Sequence, residues 1–131
     1  MSIDERQPAF FHFEIGRKLA PLRDEGVLIV GSGNVVHNLH TYAWGRHMPD
    51  PYDWAVGFEN NAKQMMLAGD FKPLIDYETL GREALLCIPT PDHYLPLLYV
   101  LATRQDRESI TFPVNGVDGG SISMLSVRVG G

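Results

Sequence analysis

Two of the five histidines lie where the chain could hold a side chain firmly enough for chemistry. His37 follows the apolar run 27–30 and the glycine-rich turn 31–34, and His93 follows the Pro-Thr-Pro turn 89–91 at the start of a second apolar run. Catalytic groups of α/β proteins often stand after such turns, at the carboxyl ends of strands. Neutral imidazole binds Fe, Zn, Cu or Ni and exchanges protons near neutral pH. The two positions therefore predict a metal or acid/base site, although their spacing alone favours hydrogen-bonded structural histidines.

The other candidate residues carry weaker claims. His40 and His47 are expected near this site or on its rim, whereas His12 lies among phenylalanines on an amphipathic helix and is expected to be structural. Cys87, the single cysteine, lies in an apolar run and is more typical of a core residue than of a nucleophile. Two histidines do not complete a catalytic metal site, which usually takes about three protein ligands.

The turn 31–34 has a second interpretation as a phosphate cradle, because the backbone N–H groups of glycine turns collect anions. The dinucleotide-binding fingerprint is incomplete, since its third glycine position is not filled and no acidic residue follows a second strand at the required distance. The Gly-x-Ser-x-Gly pattern of a nucleophile elbow is also missing. Anion binding is therefore the weaker interpretation.

Upstream of His37 the apolar spacing predicts a helix followed by a strand. Apolar residues recur at helical intervals from Pro8, which suits a first turn, to Gly26, which suits the position after a helix end. Pro21 should bend or end the last turn. Residues 27–30 are apolar throughout, as in a strand of a sheet with both faces covered.

Downstream of His37 helical and extended patterns alternate. The first predicted elements are an ordered surface loop over 41–53, a helix over 52–67 capped by Asp50 or Asp53 and ended by Gly69 and Pro73, and a short helix within 74–83. The later ones are a strand over 84–88, a buried helix from Tyr94 with Thr90 or Asp92 as cap and Pro96 in its first turn, and a hairpin pairing 109–114 with 121–129.

Composition limits the classes of protein that fit these elements. The 131 residues are 44% hydrophobic, which is enough for the core of one α/β domain over 1–131. The net charge is −5 with scattered basic residues, which argues against nucleic-acid binding, and no apolar run approaches the roughly 20 residues of a membrane span. One cysteine and no signal peptide favour the cytoplasm. A helix that begins at Pro8 leaves no room for the first strands of a complete α/β domain.

Two motifs in this order resemble a known family. Residues 31–39 read GSGNVVHNL and residues 89–99 read PTPDHYLPLLY. They are similar to the carboxyl-terminal half of class III extradiol ring-cleavage dioxygenases, in the branch of the bacterial and plant DOPA extradiol dioxygenases. Residues 2–8 and 119–127 are similar as well, so the resemblance covers essentially the whole chain. It implies part of a three-layer α/β domain, a mixed sheet flanked by helices.

The resemblance also implies an activity. The family opens a catechol ring beside its hydroxyl pair with O2 and non-haem Fe(II), and zinc is possible in some members. His93 matches the metal-binding histidine of the second half. His37 matches the active-site histidine that acts as acid/base and in some structures lies close enough to count as a ligand. His40 and Tyr94 are expected to line the substrate pocket, with no motif assigning them a role.

The chain departs from the family at the metal. Two further metal histidines belong to the amino-terminal half, and no histidine here matches them. We therefore expect a truncated or separately encoded half, or an inactive remnant, and we expect association as a homo-oligomer or with a complementary amino-terminal half, since missing strands expose a sheet edge. The alternative is a non-catalytic α/β binding or oligomerisation module. A zinc hydrolase ranks last, because no carboxylate base is evident.

Overall fold

The computed structural model describes residues 1–44 and 50–131. In this part of the chain the α-helices are α1 (Ala9–Leu19), α2 (Asp53–Ala68), α3 (Lys72–Ile75), α4 (Arg82–Cys87) and α5 (Leu95–Ala102), with 3₁₀ turns at Ala20–Arg23 and Tyr77–Thr79. The strands are β1 (Ile110–Thr111), β2 (Val117–Asp118), β3 (Ile122–Ser123) and β4 (Arg128–Val129). His47 and the centre of the predicted loop 41–53 lie outside the described residues.

The first helix is where the apolar spacing predicts it. Pro8 precedes α1 in an extended conformation, the last turn tightens into the 3₁₀ turn that contains Pro21, and Gly26 follows with a φ of +82°. α1 packs closely on α5, because a Cβ atom on Gly16 would lie 2.7 Å from the Ala102 Cβ. The glycine therefore sets how near the two helices can approach.

The core is built on α5, as its apolar sequence predicts. Leu95, Leu98 and Leu101 are fully buried, and Pro96 occupies the first turn, where a missing N–H costs no hydrogen bond. α2 adds a second apolar face, whose buried members are Ala55, Phe58, Ala62 and Met66.

The ends of the helices match the predictions only in part. Gly69 ends α2 in the left-handed conformation, with a φ of +71°, whereas Pro73 lies in the first turn of α3 rather than ending α2. The predicted side-chain caps are wrong. Tyr52 occupies the cap position of α2 and Tyr94 that of α5, and neither helix start has a side-chain hydrogen bond. Asp53 instead lies in the first turn of α2, where its charge favours the helix dipole.

The predicted strand over 84–88 is wrong, because these residues belong to α4 and its end. A five-residue apolar run has no period that separates a buried helix from a strand. The following proline only requires the residue before it to leave helical geometry. Ile88 does so, with φ −123° and ψ 74°, one residue after the helix ends.

The predicted buried strand over 27–30 is also wrong for this chain. The segment is extended but forms no strand pair with any other described residue, and Leu28 and Val30 are 83% and 76% exposed. An apolar strand is buried only if neighbouring strands and helices cover it. The described part of the chain supplies no neighbouring strand.

The predicted hairpin near the carboxyl end is confirmed. β1 pairs antiparallel with β4 and β2 with β3, and bonds such as Met124 N–H to the Gly116 carbonyl, at 2.8 Å, continue the pairing between them. The turn lies at Gly119 and Gly120, which both have positive φ. Every strand pair among the described residues is antiparallel. The chain is thus α/β in combining helices with small antiparallel sheets, and the three-layer arrangement with a mixed sheet stays a prediction.

Candidate active site at the glycine turn

The glycine turn is built to contact the start of α5 through its backbone. The Asn34 N–H donates to the His93 carbonyl at 2.9 Å. A Cβ atom on Gly33 would lie 2.0 Å from that same carbonyl oxygen, and one on Gly31 would lie 2.6 Å from the Pro96 carbonyl oxygen. The glycines are therefore needed for close packing against α5. The phosphate-cradle interpretation loses support, because the Asn34 N–H is already bonded within the protein.

This packing brings the two candidate histidines together. The ring centroids of His37 and His93 lie 5.2 Å apart, with 56° between the ring planes. The tip of the hairpin fixes the His37 segment from the other side, through a bridge between His37 and Ile122 and a bond from the Ser123 N–H to the Val36 carbonyl at 2.9 Å. Two distant motifs and the hairpin thus converge on one place.

His37 is a buried and constrained imidazole. The residue is 4% exposed, its Nε2 lies 2.8 Å from the Thr90 carbonyl oxygen, and its Nδ1 lies 3.3 Å from the Asn34 carbonyl oxygen. A carbonyl oxygen only accepts, so Nε2–H donates to Thr90. Burial lowers the pKa of His37 below its ordinary value and His93 adds to this, while the Thr90 carbonyl opposes it. The ring is therefore neutral at neutral pH, with Nδ1 as the basic nitrogen.

His93 is the accessible member of the pair. Its side chain is half-exposed, and Nε2 lies 3.4 Å from Asp92 Oδ2. His93 lines an open cavity of about 470 Å³, together with the glycine turn, Val100 and the hairpin arm 124–127. His37 is not among the residues that line this cavity.

Asp92 is a charged neighbour of His93 that the sequence motifs did not indicate as a site residue. The Thr90 hydroxyl donates to Asp92 Oδ1 at 2.6 Å, and this bond, aided by the charge of His93, lowers the pKa of the carboxyl. Asp92 therefore carries a full negative charge beside His93. Its position next to His93 in the sequence was the available signal.

The other predicted site residues lie elsewhere. Tyr94 is fully buried, and its hydroxyl donates to the Leu74 carbonyl at 2.8 Å, so it lies in the core rather than in the cavity beside His93. His40 is exposed in the turn after His37. His12 is buried with Nδ1 2.9 Å from the Tyr99 hydroxyl, in accord with the structural role expected for it. Cys87 is a core residue as predicted, and burial raises the pKa of its thiol to about 12.

The described residues do not by themselves fit a catalytic metal. Within 1–44 and 50–131 no group of three or more His, Cys, Asp or Glu is arranged to hold a metal ion. His93 is accessible, but His37 Nε2 is occupied by the Thr90 carbonyl. A catalytic site usually takes about three protein ligands. This part of the chain therefore provides at most a portion of a metal site.

Comparison with known proteins gives a consistent set of relatives. The chain is 51% identical over 99% of its length to a protein of Escherichia coli K12 named 4,5-DOPA dioxygenase extradiol. Proteins of the same name from Portulaca grandiflora and Beta vulgaris are 30% and 29% identical over 98% of the chain. No family model matches the chain.

A solved structure has the same fold. The crystal structure of an uncharacterized protein from Escherichia coli K12 superposes with a TM-score of 0.90 at 48% identity, over 98% of this chain and 53% of that one. The chain covers 48%, 47% and 47% of the Escherichia coli, Portulaca and Beta proteins. The chain is thus similar to DOPA extradiol dioxygenases over its whole length, and it spans about half the length of the relatives it matches.

Proposed function

We propose that this chain forms half of an extradiol ring-opening dioxygenase that acts on catecholic substrates such as DOPA with O2. One observation carries the proposal. The ring centroids of His37 and His93, from two motifs far apart in the sequence, lie 5.2 Å apart, and His93 lines an open cavity. Relatives of twice the length that bear the dioxygenase name support the choice of reaction.

His93 is the proposed metal ligand, because its side chain is half-exposed and Asp92 beside it adds negative charge. The metal would be Fe(II), with zinc as an alternative. Because the described residues do not fit a complete site, the metal is proposed only for an assembly in which further ligands come from another polypeptide segment. His37 as an additional ligand would first have to give up its bond to the Thr90 carbonyl.

His37 is the proposed acid/base. A catechol must lose protons before its ring opens, and a neutral imidazole can accept one and return it later. When Nδ1 takes up a proton, Nδ1–H can donate to the Asn34 carbonyl while Nε2–H keeps its bond to Thr90. Burial opposes the positive charge and the two carbonyls stabilise it. Because both ring nitrogens face backbone carbonyls, the His37 ring would have to turn toward the cavity to exchange a proton with a substrate.

The polypeptide that completes the site and the location of the protein in the cell are also proposals. The polypeptide that completes the site is a second copy of this chain or a complementary half, and the cytoplasm is the proposed location. No helix among the described residues is long and apolar enough to cross a membrane.

A ring-opening assay tests the proposed function. The chain is loaded anaerobically with Fe(II), alone and with the remainder of the Escherichia coli relative, then mixed with DOPA and exposed to air. We expect a yellow ring-opened product and matching O2 consumption in the mixture, abolished by His93→Gln and reduced by His37→Gln. Gln64→Ala, on the exposed side of α2, is the control and should keep full activity. No product in either arm would reject the proposal.

A non-catalytic binding module is the second candidate, favoured by the incomplete metal group within the described residues. It predicts no stoichiometric metal in the purified protein. It also predicts that a catechol binds equally well to the wild type and to a His37→Ala, His93→Ala double variant. Metal analysis and calorimetric titration of the two proteins separate this candidate from the enzyme.

A further inference from the structure

Glu59 is a charged residue on the buried face of α2. It is 4% exposed, and the other buried members of that face are apolar. A carboxylate in such surroundings costs stability unless hydrogen bonds or an opposite charge satisfy it. The chemistry proposed for the two histidines does not use Glu59, so its burial needs another explanation.

The hairpin satisfies the Glu59 carboxylate. The Ser123 hydroxyl donates to Oε2 at 2.6 Å, and the Gly116 N–H donates to Oε1 at 3.3 Å. Lys63, one turn further along α2, places its Nζ 3.5 Å from Oε1. Ser123 lies in β3 and Gly116 lies just before β2, so the carboxylate ties both strands of this sheet to α2.

Ser123 also contacts the glycine turn and the residues just after it. Its N–H donates to the Val36 carbonyl at 2.9 Å, and its carbonyl accepts the side-chain N–H of Asn34 at 2.7 Å. Ser123 is 1% exposed, so the bond of its hydroxyl to Glu59 is shielded from water. The position of the turn against the hairpin therefore depends on where Glu59 holds Ser123.

Asn34 is the residue of the turn that contacts both candidate histidines. Its backbone N–H donates to the His93 carbonyl at 2.9 Å, and its carbonyl oxygen lies 3.3 Å from His37 Nδ1. The side chain of the same residue is held by Ser123. The bonds to Ser123, and through it to Glu59, therefore extend to both histidines.

We propose that Glu59 is a positioning residue of the candidate active site, which acts through Ser123 to hold Asn34 and thereby the two histidines. Glu59 does not contact a substrate in this role. The inference deepens the proposed function, because it concerns the same site, but its measurements need no catalytic activity. A carboxylate that only anchored the hairpin would stabilise the whole protein and would not affect the glycine turn more than the rest.

Other bonds hold the chain at and after His37. The His37 N–H donates to the Cys87 carbonyl at 2.9 Å, and the Ser121 hydroxyl donates to the Asn38 carbonyl at 2.7 Å. Neither bond involves Ser123 or Glu59. The effect of Glu59 should therefore be largest at Asn34.

Hydrogen exchange on the 131-residue chain tests the inference. The variants are Glu59→Gln, whose side chain can accept from only one of the two hairpin donors, and Ser123→Ala, which removes the hydroxyl and keeps the backbone bonds. We expect the Asn34 amide to exchange at least about tenfold faster in both variants, relative to the amides of α5, because local opening exposes it without global unfolding.

Met66→Ala is the matched control. It removes a fully buried side chain about two turns further along the same face of α2, so it destabilises the protein without touching the hydrogen bonds of Glu59. Exchange of the Asn34 amide should rise in this variant only as much as exchange of the α5 amides.

The contact between the two rings gives a second measurement. The ring centroids of His37 and His93 lie 5.2 Å apart, which is close enough for a nuclear Overhauser effect between their ring protons. This effect falls steeply with distance. We expect Glu59→Gln and Ser123→Ala to lose most of its intensity and Met66→Ala to keep it.

A double variant checks that Glu59 acts through Ser123. The two single substitutions break the same hydrogen bond, so their effects should not add. Glu59→Gln combined with Ser123→Ala should therefore speed up exchange of the Asn34 amide no more than the more severe single substitution.

Three results would overturn the inference. They are exchange of the Asn34 amide that rises only as much as that of α5 in both single variants, an unchanged Overhauser effect between the two rings in both, and effects that multiply in the double variant. Failure of the proposed function looks different. In that case the Asn34 amide and the two rings respond as expected, but no catechol is opened.

Discussion

Two apolar segments of this chain differ sharply in how far they are buried. α5, Leu95–Ala102, is buried along almost its whole length, with Leu98 inaccessible to solvent. Segment 27–30 is as apolar in sequence, yet Leu28 is 83% exposed. The difference lies in their neighbours, because α5 is covered by α1 and by the rest of the core, whereas segment 27–30 lies on α5 with one face and both edges open. An apolar sequence therefore predicts burial only where neighbouring elements cover the segment.

Truncation of α5 should have the largest effect. Leu98→Ala removes a fully buried side chain and should lower the free energy of unfolding by about 3 kcal/mol, within the usual range for such cavities. The matched substitution Leu28→Ala should change it by less than about 0.5 kcal/mol, because that side chain is already in water. Urea unfolding of both variants measures the contrast. Equal losses would mean that segment 27–30 is already covered in the isolated chain.

The contact between the glycine turn, which follows segment 27–30, and the start of α5 is the next place to test. Gly33→Ala would place a methyl group 2.0 Å from the His93 carbonyl oxygen, so the turn must move away from α5. We expect a loss of about 1–3 kcal/mol, typical of overpacking, with altered NMR shifts of both site histidines. Gly57→Ala is the control, since nothing lies near a Cβ at that position within α2. It should stabilise the protein by up to about 1 kcal/mol through helix propensity, and a similar gain for Gly33→Ala would contradict the close packing.

An ion pair links the chain just before segment 27–30 to the chain just after α5. Arg23 binds both carboxylate oxygens of Glu108 at 2.7 Å and also donates to the Thr103 carbonyl, just beyond α5. Glu108→Gln should therefore lower the free energy of unfolding by about 1 kcal/mol.

The effect of this pair should depend on pH. The hydrogen bond from Arg23 lowers the pKa of Glu108 in the folded protein. The unfolded chain then binds the proton more readily, so the contribution is complete above the unfolded pKa of about 4.5 and is lost as pH falls through the folded pKa. Urea unfolding at pH 7 and pH 3 should show a smaller acid loss in Glu108→Gln than in the wild type. Equal acid losses would place the pH dependence in other carboxylates.

Local sequence signals predicted the three longest helices, α1, α2 and α5, well. Helical spacing, Pro8, Gly69 and Pro96 correctly predicted α1, α2 and α5, because each signal acts within its own helix. Residues 84–88 failed, since a short apolar run carries no period. Residues 27–30 failed for another reason, because a strand needs neighbouring strands and no described residue pairs with this segment.

The candidate site was predictable in its side chains but not in its environment. The two motifs placed His37 and His93 in one candidate site, and the ring centroids lie 5.2 Å apart, while the roles of the two residues stay a prediction. The Thr90 and Asn34 carbonyls that face His37 are backbone atoms, which no residue type reveals. Tyr94 was expected in the pocket, yet its direction depends on how α5 is rotated against α3.

The smallest effect we predict separates the buried histidine from its accessible neighbour. Burial lowers the pKa of His37, so its NMR titration midpoint should lie below the ordinary 6.5. Asp92→Asn should lower the midpoint further, since the Asp92 charge raises the pKa of His37. The unfolded chain binds the His37 proton more readily, so this residue's contribution to stability falls as pH drops below about 6.5. A midpoint at or above 6.5, or one that Asp92→Asn raises, would contradict control of the His37 pKa by burial and by the Asp92 charge.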